Sequence, residues 1–337
     1  MTETSTLLGT ELPLQEQHDV ALVDLDGVAY RGPEAIPTAP PALATAREAG
    51  MRVVFVTNNA NRSPETVAEH LTELGMPTTR DEVMTAAQAG AALLATLVPA
   101  DARVLVVGGD GLVEAVRELG FAMVDSADDK PDAVIQGFNP DLRWRDLAEV
   151  AYAVQGGAVH VATNLDLTIP NERGIAPGNG SLVRAVAQAT GAIPPAAGKP
   201  EKAMFHLAAA KADAKNPMMI GDRLDTDLMG ARSAGYAGLL VLTGVDRARE
   251  AILAAPEMRP VYISDDMSGL AEPHPSTALV DGWWTVRDAR ARVVDGALET
   301  EGGTRIDRVR AACAAAWSFV DEGGELNIEA LPAHGVA

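Results

Sequence analysis

Two aspartates separated by one residue, in Val23-Asp24-Leu25-Asp26-Gly27, follow the apolar run Val20–Val23. In extended backbone, alternate side chains share a face, so Asp24 and Asp26 present two carboxylates to one place at the end of a strand. Acids that close resist joint ionisation unless a cation lies between them or one keeps a proton. Either arrangement is useful. An ionised carboxylate can be nucleophile and metal ligand, and its neighbour general acid and then base. The same residues also suit a turn in which two aspartates cap backbone N–H groups, and from this motif alone both readings stand.

Three further groups lie at similar punctuation points. Thr57-Asn58-Asn59 ends the apolar run Val53–Val56, where a hydroxyl and exposed backbone N–H groups can hold phosphoryl oxygens, although Thr and Asn are also ordinary loop residues. Gly198-Lys199-Pro200 precedes a helical pattern; its lysine either neutralises phosphoryl charge or is one more solvated cation. Gly221-Asp222-Arg223-Leu224-Asp225-Thr226-Asp227 follows the apolar Met218–Ile220. Its three carboxylates suit a hard cation with oxygen ligands, and Mg²⁺ commonly takes one or two carboxylates plus waters and phosphate. Helix N-capping by Asp225 or Asp227 is compatible with that role.

The elements that must carry these groups alternate. Short β-branched runs (20–24, 52–57, 104–107, 133–136, 158–162, 218–221, 238–242) are interleaved with alanine-rich helical segments (41–49, 64–74, 112–119, 145–154, from Ser181, 201–214, 226–234). That rhythm predicts βαβ units around a parallel sheet, whose C-terminal strand edge is where open α/β folds bind ligands. Ser63 followed by Pro64 reads as an N-cap with proline at the first helical position. From about Glu272 the texture changes: Pro273 and Pro275 read as a linker, 284–294 as strand and turn, and 305–320 as an amphipathic helix.

Composition narrows the partners. The 337 residues carry a formal charge of −20, so nucleic acid and anionic membrane surfaces are on the whole repelled and not expected as partners, and any phosphate site must be locally electropositive. Cys313 is the only cysteine, so no intrachain disulfide forms and a reducing, cytoplasmic setting is expected. The six histidines are scattered without zinc-ligand spacing. No apolar run approaches the roughly 20 residues of a membrane span, and residues 1–17 read as a disordered lead-in without signal-peptide character.

Taken in order, the four motifs resemble those of the haloacid dehalogenase superfamily of phosphatases, within it the NagD-like, p-nitrophenylphosphatase-type branch. The resemblance covers about residues 18–265 and implies a Rossmann-like α/β core (18–81 with 196–265), an inserted α/β cap domain (82–195) and a cap-mediated homodimer. It also implies roles. Asp24 is the nucleophile, Asp26 the general acid/base, and Lys199 the charge stabiliser. Thr57, Asn58 and Asn59 bind the phosphoryl group, Mg²⁺ is held by Asp24, the Asp26 carbonyl and Asp222, and Asp225 and Asp227 orient its waters. Ala162-Thr163-Asn164-Leu165-Asp166, then Pro170 and Pro177-Gly178-Asn179-Gly180-Ser181, is similar to the cap's characteristic run and gives Thr163, Asn164 and Asp166 as substrate-binding; Gly178–Ser181 equally suits a plain turn and helix cap. With its tail at 272–337, a small α+β appendage similar to part of an acetyltransferase fold, the chain resembles the actinobacterial glycerol-3-phosphate phosphatases. The implied reaction is Mg²⁺-dependent hydrolysis of a small phosphorylated metabolite, glycerol 3-phosphate first, with phosphoglycolate, pyridoxal phosphate or a nucleoside monophosphate as alternatives. A non-catalytic phosphometabolite sensor or scaffold acting through the tail is the rival from another class.

Overall fold

The computed structural model describes residues 7–171 and 173–331, so residues 1–6 of the expected lead-in and 332–337 of the tail lie outside it. The described chain divides into two compact units. One runs to Val53 and resumes at Ala212, and the other is Val54–Lys211.

The first unit holds a parallel sheet in the order Tyr262–Ser264, Ala237–Val241, Pro217–Gly221, Val20–Val23. Every residue of Val20–Val23 and Pro217–Gly221 is buried, as expected of parallel strands covered on both faces, which read as continuous apolar runs. The register pairs Val23 with Ile220 and Gly221 with Leu240. Asp24 and Asp222 therefore leave neighbouring strands at the same edge.

The tail is built into this unit. Its antiparallel strands Ala278–Val280, Trp283–Val286, Ala289–Val294 and Ala297–Gly302 are joined in sequence, with Asp281-Gly282 and Asp295-Gly296 at positive φ in two of the tight turns. Helix Arg305–Asp321 lies against them, but the expected one-sided amphipathicity is not what forms. Val309 and Ala311–Trp317 are all buried, because alanine lets neighbours approach from several sides. Val309 and Trp317 share one apolar cluster with Leu240, Ile252 and Ile263 of the parallel-sheet region. Arg310 is buried there too, donating from Nε and Nη2 to the Ile263 carbonyl (2.9 and 2.7 Å) and from Nη1 to Asp307 (2.9 Å). The region expected as an appendage thus completes a core.

Residues 7–17, expected to be disordered, are ordered. Leu7 and Leu14 are buried, Leu8 N donates to Val261 O at 3.0 Å, and His274 Nδ1 bonds Leu8 O at 2.8 Å. The leucines of this stretch show no periodicity that separates Leu7 and Leu14, which fill core sites, from Leu8 and Leu12, which stay exposed.

The second unit opens with the end of strand Arg52–Thr57, paired in parallel with Val83–Thr85. The helix after it begins as read: Ser63 Oγ accepts from Thr66 N at 3.2 Å, with Pro64 first. A second parallel sheet follows in the order Ala122–Val124, Arg103–Val107, Ala133–Gln136, Val159–Ala162, with helices Trp144–Gln155 and Asn179–Thr190 and the hairpin Thr168–Asn171/Gly174–Pro177. The α/β class and parallel sheets match the expectation. No helix of the described residues is long and apolar enough to cross a membrane.

Candidate active site

In the first unit, one ligand atom each from Asp24, Asp222 and Asp227 lies within 4.8 Å of the others, and all three residues are buried. Asp24 continues the strand ladder, its N donating to Ile220 O at 2.9 Å. Asp222 follows Gly221 directly. Asp227 returns to the same spot because Leu224–Leu228 forms a wide helical turn of π type. Small residues permit the crowding: a Cβ on Gly244 would stand 1.8 Å from Asp222 Oδ2, and one on Gly221 2.2 Å from Asp227 Cβ. Backbone donors fix the carboxylates, with Val245 N on Asp222 Oδ2 (2.7 Å) and Arg223 N on Asp227 Oδ2 (3.2 Å).

Three buried carboxylates repel one another and together favour a bound cation. All donors are hard oxygens, without histidine or thiolate, which suits Mg²⁺ or Ca²⁺ and not a softer metal. The residues present therefore fit Mg²⁺.

Asp227, read as orienting metal waters, lies within the candidate cation cluster itself. Asp225, given the same task, forms an ion pair with Arg223 (2.9 Å) on a half-exposed side chain, because two positions along a helical turn carry the side chain to the opposite face. Asp26 is exposed, two residues beyond Asp24. Asp246 was missed. Its Oδ2 accepts from Leu224 N at 2.7 Å and its N donates to Asp222 O at 3.0 Å, so it braces the acidic loop. Burial raises its carboxyl pKa, and repulsion from Asp225 and Glu250 adds to this. The signal was available, since Thr243-Gly244-Val245-Asp246 is a further loop following a strand at that sheet edge.

In the second unit, Thr57, Asn58 and Lys199 are brought together. Thr57 ends its strand buried, with Oγ1 accepting from Asn59 N at 3.1 Å. Lys199 is buried and its Nζ donates to Val56 O at 3.2 Å, so the ammonium lies at the strand end that carries Thr57. A cation, a hydroxyl and backbone N–H groups there can offset charge on a phosphoryl group. Asn59 does other work: it is exposed, and its Oδ1 accepts from Asn61 N (2.8 Å) and Arg62 N (3.1 Å), closing a turn. Thr163 and Asn164, expected on substrate, are buried. Thr163 O accepts from Gly198 N at 2.7 Å, and Asn164 Nδ2 donates to Asn58 O at 2.7 Å. Asp166 accepts from Asn58 Nδ2 at 3.0 Å. Asn179 and Gly180 open a helix that leans on this segment, Gly180 N donating to Asp166 O at 2.8 Å.

Comparison with known proteins finds similar sequences and structures. The family profile described as haloacid dehalogenase-like hydrolase matches residues 21–122, and a second, HAD-hydrolase-like profile matches 196–270. The chain is 42% identical over 312 residues to a D-glycerol 3-phosphate phosphatase of Mycobacterium tuberculosis, covering 90% of this chain and 87% of that one. It is 36% identical to the 5'-nucleotidase YutF of Bacillus subtilis over 67% of this chain and 88% of that one. A crystal structure of a glycerol phosphate phosphatase from M. tuberculosis in complex with magnesium superposes with a TM-score of 0.84 at 41% identity, over 91% of this chain and 92% of that one.

Proposed function

This chain belongs to the haloacid dehalogenase-like hydrolases, and from that premise we propose that it is a Mg²⁺-dependent phosphatase that hydrolyses glycerol 3-phosphate to glycerol and phosphate. The observation that supports the reading is the buried trio Asp24, Asp222 and Asp227, whose carboxylates are close enough to hold a cation beside the proposed nucleophile, Asp24. Bound there by these carboxylates, with the Asp26 carbonyl as the resemblance implies, Mg²⁺ supplies positive charge that offsets the charge of the phosphoryl oxygens.

The chain's own groups divide the chemistry. An Asp24 oxygen forms a bond to phosphorus as the ester P–O bond breaks, and Asp26 gives its proton to the departing alkoxide oxygen. Asp26, now a carboxylate, takes a proton from water as the water oxygen bonds phosphorus and the Asp24–phosphorus bond breaks. Inorganic phosphate leaves and Asp24 is restored. As the resemblance implies, Lys199 Nζ and the Thr57 hydroxyl would serve the phosphoryl oxygens in both steps. An acid at position 26 suits ester hydrolysis better than halide displacement, which needs no leaving-group acid.

Glycerol 3-phosphate as substrate is supported by similarity over nine-tenths of the chain to a phosphatase of that name. A nucleoside monophosphate is the second reading, from the relative named a 5'-nucleotidase. Phosphate release is to be measured on glycerol 3-phosphate, phosphoglycolate, pyridoxal phosphate and nucleoside monophosphates, with Mg²⁺ and with EDTA. Highest kcat/KM on glycerol 3-phosphate, lost in EDTA, is expected. Preference for a nucleotide would move the substrate assignment, and binding without turnover of any ester would make the chain a sensor. A cytoplasmic location and a homodimer accompany the proposal; fractionation and light scattering check them.

A further inference from the structure

Asn58 is a hub. Its Oδ1 accepts from Lys199 N at 2.8 Å and its Nδ2 donates to Lys199 O at 3.0 Å, so one side-chain amide engages both main-chain groups of the lysine. The same Nδ2 donates to Asp166 Oδ2 at 3.0 Å. A carboxylate accepts and cannot donate. Asp166 therefore fixes which way the Asn58 amide faces, with nitrogen toward itself and the Lys199 carbonyl, and oxygen toward Lys199 N.

The segment bearing Asp166 is itself clamped. Asn164 Oδ1 accepts from Asp166 N (3.2 Å) while its Nδ2 holds Asn58 O (2.7 Å), and Asn179 Nδ2 donates to Asn164 O (2.9 Å). Gly198 N bonds Thr163 O at 2.7 Å, next to the lysine. The fit is tight enough to demand glycine: a Cβ on Gly198 would lie 2.7 Å from Asn58 Oδ1 and 2.8 Å from Thr163 O, and one on Gly180 2.1 Å from Leu165 O.

We propose that Asp166, held by Asn164, is a positioning residue that sets the Asn58 amide and, through it, the place of the Lys199 ammonium at the end of strand Arg52–Thr57. The inference rests on the phosphatase reading, since it is the phosphoryl-transfer step that Lys199 serves. It departs from a substrate-binding role for Asp166 in what it expects kinetically. A substrate contact acts on KM for one ester, whereas a misplaced lysine slows every ester through kcat.

The test is a cycle of Asp166→Ala, Lys199→Ala and the double variant, assayed on glycerol 3-phosphate and p-nitrophenyl phosphate. Losing a hydrogen bond to a charged group should lower kcat roughly ten- to a hundredfold in Asp166→Ala, by a similar factor on both esters and with KM little changed. Once Lys199 is gone, removing Asp166 should cost at most about twofold more, because both act through one group. Asp166→Asn, which keeps an acceptor for Asn58, should recover most of the rate. Asp166→Ser repeats the test if the alanine variant does not fold. Independent, multiplicative losses in the cycle would overturn the proposal. So would a KM effect confined to one ester, or an Asp166→Ala rate equal to wild type. A wild-type chain that turns over no ester refutes instead the phosphatase reading itself.

Discussion

Replacing Asp227 with asparagine should strengthen the metal-free protein while removing its response to Mg²⁺. The ligand atoms of Asp24, Asp222 and Asp227 are at most 4.8 Å apart. At an effective dielectric of about 20, two unit charges at that separation repel by roughly 332/(20 × 4.8), or about 3.5 kcal/mol. Asp227 takes part in two such pairs, giving roughly 7 kcal/mol at full ionisation. A bound proton limits this, because protonating one ordinary aspartate at pH 7 costs only about 4 kcal/mol. The relief in Asp227→Asn is therefore about 2–4 kcal/mol in EDTA, since asparagine Oδ1 can still accept from Arg223 N. On the metal side, wild type gains about 2.7 kcal/mol at a hundredfold excess of Mg²⁺ over its Kd, which the variant forgoes. Urea unfolding at pH 7, in EDTA and across an Mg²⁺ titration, reads both effects. The electrostatic reasoning fails if Asp227→Asn is less stable than wild type in EDTA, or if Mg²⁺ stabilises both alike.

Three further outcomes follow from the structure. Asp26→Ala should slow glycerol 3-phosphate hydrolysis far more than p-nitrophenyl phosphate hydrolysis, whose leaving group needs no acid; equal losses in kcat/KM remove Asp26 from that role. Burial pushes both His160 and His274 down to about 4 from 6.5, with Arg310 adding to the effect at His274. Their folded pKa values lie below the unfolded ones, so the stability they contribute is whole above about pH 6.5 and is lost as pH falls toward 4, by about 3 kcal/mol each. Urea midpoints against pH should show a shallower acid fall in His274→Gln, and an unchanged slope contradicts this. Trp317→Ala should cost about 3–5 kcal/mol of stability, because the ring is buried and Nε1 donates to Ala251 O at 3.0 Å; a change in Tm of a degree or less would show that the tail does not complete the core.

Local pattern made part of this legible. Asp24 and Asp222 announce themselves because each directly follows an apolar strand, and parallel pairing in register does the rest. Asp227 is legible as a carboxylate, but its place beside Asp24 and Asp222 is not, since it depends on the π-type turn and on the missing side chain of Gly221. Thr163, Asn164 and Asp166 were singled out and given to substrate. The bonds of Asn164 and Asp166 to Asn58 link residues more than a hundred positions apart, and no spacing rule reports such a contact. Leu7 and Leu14 carried no periodic signal, and helix Arg305–Asp321 hid its burial behind small alanines whose faces look alike in sequence.

The central claim is that Asp24 accepts the phosphoryl group. Its most direct measurement is phosphate release from glycerol 3-phosphate by Asp24→Asn in saturating Mg²⁺, with circular dichroism confirming the wild-type fold. The account predicts turnover below detection in a folded protein. Turnover within tenfold of wild type would contradict it.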